Sequence, residues 1–163
     1  MPITYKPEIG SLSEVPNGSW QSLVDQSVTV ADQEYLVGFE SVDFERGMRL
    51  ASGNRLYVDN SGLYNVQFAL QFHNIGGGGS TALAHIWFKV NGTTVPETGM
   101  RQSVTTNSPY QVTSRDFFLT LVSGDYLQLA WSTNHTGIQL YHENASGIIP
   151  VVPSAVLTLQ QVG

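Results

Sequence analysis

Between Gly62 and His73 apolar and polar side chains alternate with a period of two. Tyr64, Val66, Phe68, Leu70 and Phe72 share one face, and Leu63, Asn65, Gln67, Ala69, Gln71 and His73 share the other. Alternation of that kind predicts a strand of an antiparallel sheet with one dry side. At ~3.4 Å per residue it spans roughly 40 Å, long for a strand, so the body around it should be an elongated sandwich. The second face is lined by neutral amides rather than Lys and Glu. Amides can be satisfied by hydrogen bonds without desolvating a charge, which suits a surface half buried against another chain.

The same reading extends along the chain. Strands are predicted over 19–24, over 35–44 as one bulged strand carrying Phe39, Val42 and Phe44, and over 48–50 and 55–58. After the four consecutive glycines of 76–79, read as a hairpin connection or a hinge, Ala84, Ile86, Phe88 and Val90 alternate with Leu83, His85, Trp87 and Lys89 up to the turn Asn91-Gly92. Further strands are predicted over 100–105, 111–121, 126–132, 138–142 and 154–162. In the second of these Phe117, Leu119 and Leu121 oppose Ser114, Asp116 and Phe118, and in the last Ala155, Leu157 and Leu159 point inward. About ten strands with frequent turns and no amphipathic helix describe an all-β sandwich or jelly roll. The terminal strand should lie inside a sheet, since at an edge it would fray.

Residues 1–18 differ from the rest. Pro2, Pro7 and Pro16 interrupt regular pairing, while Ile3, Tyr5, Ile9 and Leu12 recur too regularly for an inert tail. The segment reads as an extended arm with those four as docking anchors, followed by a single jelly-roll domain over 19–163.

Composition narrows the partners. Seven Lys and Arg against 13 Asp and Glu give a net charge of −6, and no basic run with interleaved aromatics is present to track a phosphate backbone, so nucleic acid is not an expected partner. The first residues lack the apolar core and cleavage site of a signal peptide, and no apolar run reaches membrane length. A soluble protein made in a cytoplasm, with no membrane partner, is expected. Zero Cys excludes disulfides and thiolate metal sites. Charged residues make up only 12% of the chain, about half the usual share, which suits a protein that packs against neighbours.

Candidate chemistry is sparse. His73, His85, His135 and His142 lack zinc-ligand spacing. Glu40, Asp43 and Glu45 are close in sequence, but on a strand their spacing sends carboxylates to opposite faces, and a solvated acidic edge is expected rather than a calcium site. No Gly-x-Ser-x-Gly elbow or Ser, His and Asp set stands out. Neither an enzymatic activity nor a cofactor is expected.

Three segments together resemble the tumour necrosis factor and complement globular-head superfamily: Gly62-x-Tyr64-x-Val66-x-Phe68; Phe117-x-Leu119-x-Leu121-x-x-Gly124-Asp125-x-Leu127-x-Leu129, read as the hairpin before the end; and Pro153-Ser154-Ala155-Val156-Leu157-x-Leu159. The run from Ile86 to Pro96 is similar to a version found in virion proteins of tailed bacteriophages, notably those of marine cyanobacteria. The resemblance implies a ten-stranded antiparallel jelly roll that forms a homotrimer, with the sheet of the first, third and last strands against the three-fold axis. The interface it implies comprises Asn65, Gln67, Ala69, Gln71, Ser114, Phe118, Ser154, Val156 and Thr158.

The function expected on this basis is a non-enzymatic virion structural protein, a trimeric capsid decoration (cement) protein whose partner is the major capsid protein and whose location is the virion. The alternatives are the receptor-binding tip of a tail fibre and a soluble carbohydrate-binding module of the complement-head type. Decoration is preferred over a fibre tip because Met1 stands within eighteen residues of the jelly roll, whereas a fibre normally carries a shaft and an attachment domain.

Overall fold

A computed structural model describes residues 15–163, and the arm anchors Ile3, Tyr5, Ile9 and Leu12 lie outside the described residues. In chain order the strands are β1 (Asn17–Ser22), β2 (Gln26–Ser27), β3 (Tyr35–Leu36), β4 (Ser41–Arg46), β5 (Met48–Ala51), β6 (Arg55–Val58), β7 (Gly62–Asn74), β8 (Leu83–Val90), β9 (Thr93–Thr94), β10 (Met100–Ser103), β11 (Tyr110–Leu121), β12 (Tyr126–Thr133), β13 (Ile138–Leu140) and β14 (Ala155–Gln161). Asn17 and Gly18, placed in the arm from sequence, belong to β1. The carbonyl of Pro16 already accepts the Gln161 amide at 2.9 Å.

Two seven-stranded antiparallel sheets pack face to face. In sheet A, β7 is central: β11 pairs along one side, β14 and β13 along the other, and beyond these lie β1 with β4, and β2. In sheet B, β8 and β12 are central, flanked by β10 and β9 on one side and by β3 and β6 with β5 on the other. The terminal strand β14 is inside its sheet, between β7 and β1.

The inward residues of β7 behave as the period predicts: Tyr64, Val66, Phe68, Leu70 and Phe72 are all buried. They meet Ala84, Ile86 and Phe88 of β8 and Leu127, Leu129 and Trp131 of β12 in one core. Phe68 and Phe88 touch edge to face across the sandwich, with ring centroids 5.6 Å apart, and Phe88 repeats that contact with Phe117 at 5.2 Å. Gly62 opens β7 for a steric reason. A Cβ there would stand 2.3 Å from the Gly163 carbonyl, which accepts the Leu63 amide at 2.7 Å.

Three sequence expectations are corrected by tertiary pairing. The single strand over 35–44 is two strands in different sheets. After β3 the Val37 amide donates to Leu129 and the Phe39 amide to Gly53, both in contact with sheet B, and the chain then crosses to pair with β1 in sheet A. The run 76–79 is neither a hairpin, since β7 and β8 lie in different sheets, nor a free hinge. All four glycines have positive φ, from 142° down to 52°, a course that only glycine follows without strain. The Asn74 side chain pins this crossing by donating to Gly77 and Val104 and accepting from the Gly76 amide. Likewise Ser123-Gly124-Asp125 is a corner between sheets rather than a hairpin, because β11 pairs with β7 and β12 with β8.

Candidate functional site

The outer face of sheet A is assembled row by row from the register. Ser114, Ala69, Val156 and Gln21 form one row across β11, β7, β14 and β1. Asp116, Gln67, Thr158, Ser19 and Phe44 form the next, and Phe118, Asn65, Gln160 and Asn17 the one after. Eight of the nine residues expected on this face, all but Ser154, are thus brought to one surface, Gln71 lying one row further along β7 beside Val112.

The surface is concave. A shallow groove of about 530 Å³ runs over Gln67, Phe68, Ala69, Ser114, Arg115, Asp116, Val156 and Thr158. A smaller hollow of about 130 Å³ adjoins it at Gln67 and Thr158 and reaches Asn17, Gly18, Phe44 and Asn65. Apolar side chains stand around the groove in water: Phe118 is 60% exposed, Val112 64% and Phe44 52%. Two polar atoms of the β7 row, Asn65 Oδ1 and His73 Nδ1, are shielded from solvent and have no partner among the described residues. At the far end His73 stacks on Tyr110, centroids 4.2 Å apart, with the Tyr141 ring edge-on to it at 4.9 Å. Desolvation, reinforced by Glu143, Tyr110 and Asp25, holds the Tyr141 hydroxyl above its ordinary pKa.

Ser154 departs from the expected face. It has the parity of Val156 and Thr158 but is fully buried, because the chain leaving β1 covers it. Its hydroxyl donates to the Val24 carbonyl at 2.7 Å, with the Ser22 carbonyl 3.3 Å away. Conversely, Tyr110, Val112 and Phe44 join the face although sequence reasoning left them out. For the first two the signal was present: they share the parity of Ser114 and Phe118. Phe44 could not be placed without knowing that its strand crosses to sheet A.

The acidic segment is exposed, and each carboxylate has its own structural task. Asp43 accepts from the Ser19 hydroxyl and the Gln21 amide, Glu40 from the Leu23 backbone, and Glu45 from the Leu50 backbone at 2.6 Å and the Trp20 indole at 2.7 Å. No group of three His, Cys, Asp or Glu side chains positioned to hold a metal occurs among the described residues. The Glu45 contact matters most, because Trp20 is fully buried and its N–H has this partner alone among the described residues. Glu45→Ala is expected to cost about 1–3 kcal/mol in urea unfolding, the penalty of an orphaned buried donor, and Glu45→Gln clearly less since an acceptor remains. Equal losses for the two variants would show that the indole bond is not the source.

The histidines are dispersed. His85 is exposed on β8, His135 accepts the Gly137 amide through Nδ1 at 3.0 Å, and His142, outside β13, donates its backbone N–H to Asp25 at 2.8 Å. No helix of the described residues is long and apolar enough to cross a membrane.

No family model matches the chain, and no curated protein matches its sequence. Solved structures do. Crystal structures of murine APRIL at pH 8.5 and pH 8.0 superpose with TM-scores of 0.58 and 0.61, each at 12% identity and covering 91% of this chain and 99% of the other. At that identity the likeness speaks for architecture alone, and with the two antiparallel sheets and their strand order it establishes the fold as a TNF-like jelly roll.

Proposed function

We propose that this chain is a non-enzymatic structural protein that assembles as a homotrimer through the outer face of sheet A and serves as a decoration protein on the head of a tailed phage. The observation that carries the assembly is that face: neutral amides, a concave centre, and Phe118, Val112 and Phe44 left in water. An apolar surface of this kind is costly to leave uncovered. Edge geometry supports the same reading. Among the described residues β11 runs twelve residues with only β7 as its partner, and edges that close against neighbours cease to be aggregation templates.

The assignment to a virion rests on the similarity of the Ile86–Pro96 run to phage virion proteins, and the docking role falls to the N-terminal arm with Ile3, Tyr5, Ile9 and Leu12. Prolines keep such an arm extended, so it loses little entropy on docking. The chain starting at Val15 keeps all of β1 and the Pro16 bond to Gln161. It is expected to trimerise like the full chain but to fail to co-sediment with phage heads stripped of the protein, to which the full chain rebinds. Equal rebinding by both would remove the arm from the function. Binding to host cells by both, with no binding to heads, would favour a fibre tip.

A further inference from the structure

We propose that the opposite face, the outer face of sheet B, binds an acidic polysaccharide. A pyranose ring packs against Trp87, and carboxylates along the strand engage Arg101 at one end of the face and Arg55 and Arg49 at the other. The proposal does not depend on the trimer, which uses the other sheet.

Strand parity and register place these residues together. On β8 the inward set is Ala84, Ile86 and Phe88, so His85, Trp87 and Lys89 face outward. Arg101 of β10 lies opposite His85, and Gln128 of β12 opposite Lys89. Tyr126 lies opposite Tyr57 of β6, which lies opposite Arg49 of β5. A diagonal track results, with aromatic rings between cations. The sequence hides it, because its members come from five strands and no two cations are adjacent.

Charge and geometry both point to an anionic ligand. Four of the six Lys and Arg in residues 15–163 are on this face, in a chain whose net charge is −6. Lys89 is neutralised by Glu34. Arg49, Arg55 and Arg101 are exposed and form no ion pair or hydrogen bond among the described residues. The first two are nevertheless held in place: the Arg49 guanidinium sits 4.4 Å from the Tyr57 ring centre and that of Arg55 4.9 Å from Tyr126, the two rings being 5.2 Å apart. Stacking fixes the plane of a guanidinium while leaving its donor edge free, which is the arrangement that grips a carboxylate bidentately.

The other end is an open, shallow cleft of about 400 Å³, lined in part by Trp87, His85, Met100, Arg101, Pro96 and Glu97. That is within the lower part of the ~300–1,000 Å³ range of small-ligand sites. Its wall is rigid. The buried Thr98 hydroxyl accepts the Phe88 amide at 3.1 Å and donates to the Val95 carbonyl at 2.9 Å, tying the turn to β8. Glu97 is held on the rim at a φ of 64°, a conformation a non-glycine residue keeps only when its surroundings enforce it. An indole floor with a carboxylate and a guanidinium at the rim suits a sugar: the ring's C–H face packs on the indole, Glu97 accepts from hydroxyls, and Arg101 takes the acid group. A nucleic acid backbone fits less well, since its phosphates bring no hydroxyl for Glu97 to accept from.

The tryptophans make the test direct. Trp20 and Trp131 are buried, and Trp87 alone of the three is reached by solvent. Titrating the full-length protein with polygalacturonate fragments is expected to give a saturable change in indole fluorescence, weakened by salt. Dextran of the same length should give none. Arg101→Ala and Arg55→Ala should each raise the Kd about tenfold or more, as loss of a charged hydrogen-bond pair does, with the melting temperature unchanged for the exposed Arg101 and lowered by no more than about 4 °C for Arg55, which also loses its stacking on Tyr126. The proposal is overturned if polygalacturonate does not bind, if dextran binds equally, if both variants bind like the parent, or if single-stranded DNA of equal charge binds more tightly than the uronate.

Discussion

Phe118→Asp is expected to convert the protein from three chains to one in light scattering behind a sizing column, the mass falling from three times 17.8 kDa to that of a single chain. Phe118 is 60% exposed and lies beside Asn65 on the outer face of sheet A. Removing its ring therefore takes nothing from the core, and folding stability should move by no more than about 0.5 kcal/mol, as for most surface changes. The carboxylate would then have to be desolvated three times over when the faces close. Gln67→Glu should act in the same direction from the centre of the groove, where Asp116 lies opposite it in the register and the added charge has a like neighbour. Should the parent chain run as a monomer at micromolar concentration, or Phe118→Asp keep the full trimer mass, the assembly face is wrongly placed.

How much of this was legible in the sequence divides by the range of the interaction that decides each feature. The alternation of β7 needs no partner to be read, and its five inward residues are all in the core. The same holds for Ala84, Ile86 and Phe88 and for Ala155, Leu157 and Leu159. What strand parity cannot reveal is which sheet a strand joins. The stretch from Tyr35 to Phe44 reads as continuous because Val37, Phe39, Val42 and Phe44 are all apolar. Only the backbone bonds to Leu129 and Gly53, and then the pairing with β1, show that it changes sheets after Phe39. Ser154 fails for a related reason: its parity is right, but a segment from 130 residues earlier covers it. The cationic track of sheet B is harder still. Arg49, Tyr57, Trp87, Arg101 and Tyr126 are ordinary strand residues one at a time, and their chemistry exists only after five strands are laid side by side.

The two faces of the sandwich differ in chemistry in a way that composition averages away. A charged fraction of 12% describes the whole chain, yet the groove of sheet A is lined mostly by uncharged side chains, with Arg115 and Asp116 both from β11, while sheet B carries four of the six Lys and Arg in residues 15–163. A protein that closes sheet A against its own copies leaves sheet B pointing outward. Assembly and ligand binding can then be altered independently, so Phe118→Asp should leave polysaccharide binding per chain intact and Arg101→Ala should leave the trimer intact.

Phe88→Ala is expected to have the largest effect on stability, about 3–5 kcal/mol, or a fall in melting temperature of roughly 6–20 °C for a chain of this size. Phe88 is buried at the centre of sheet B and is one of the rings through which the two sheets meet, touching Phe68 of β7 and Phe117 of β11 edge to face. Alanine removes both contacts and leaves a cavity whose walls are strands, pinned by ladders on either side and unable to collapse into it. The damage should also be directional. Among the described residues β11 pairs with one neighbouring strand and is anchored in the core by Phe117, Leu119 and Leu121, and Phe118 projects from the opposite side of the same backbone. Losing the partner of Phe117 loosens the strand that presents Phe118, so Phe88→Ala should weaken the trimer as well as the fold, with amide exchange rising first along β11 and later along β14, which is paired on both sides. Phe88→Leu keeps most of the volume and should recover most of the stability while restoring the trimer. A loss under about 1 kcal/mol for Phe88→Ala would be too small for a fully buried ring, and would mean that the sandwich is held together elsewhere.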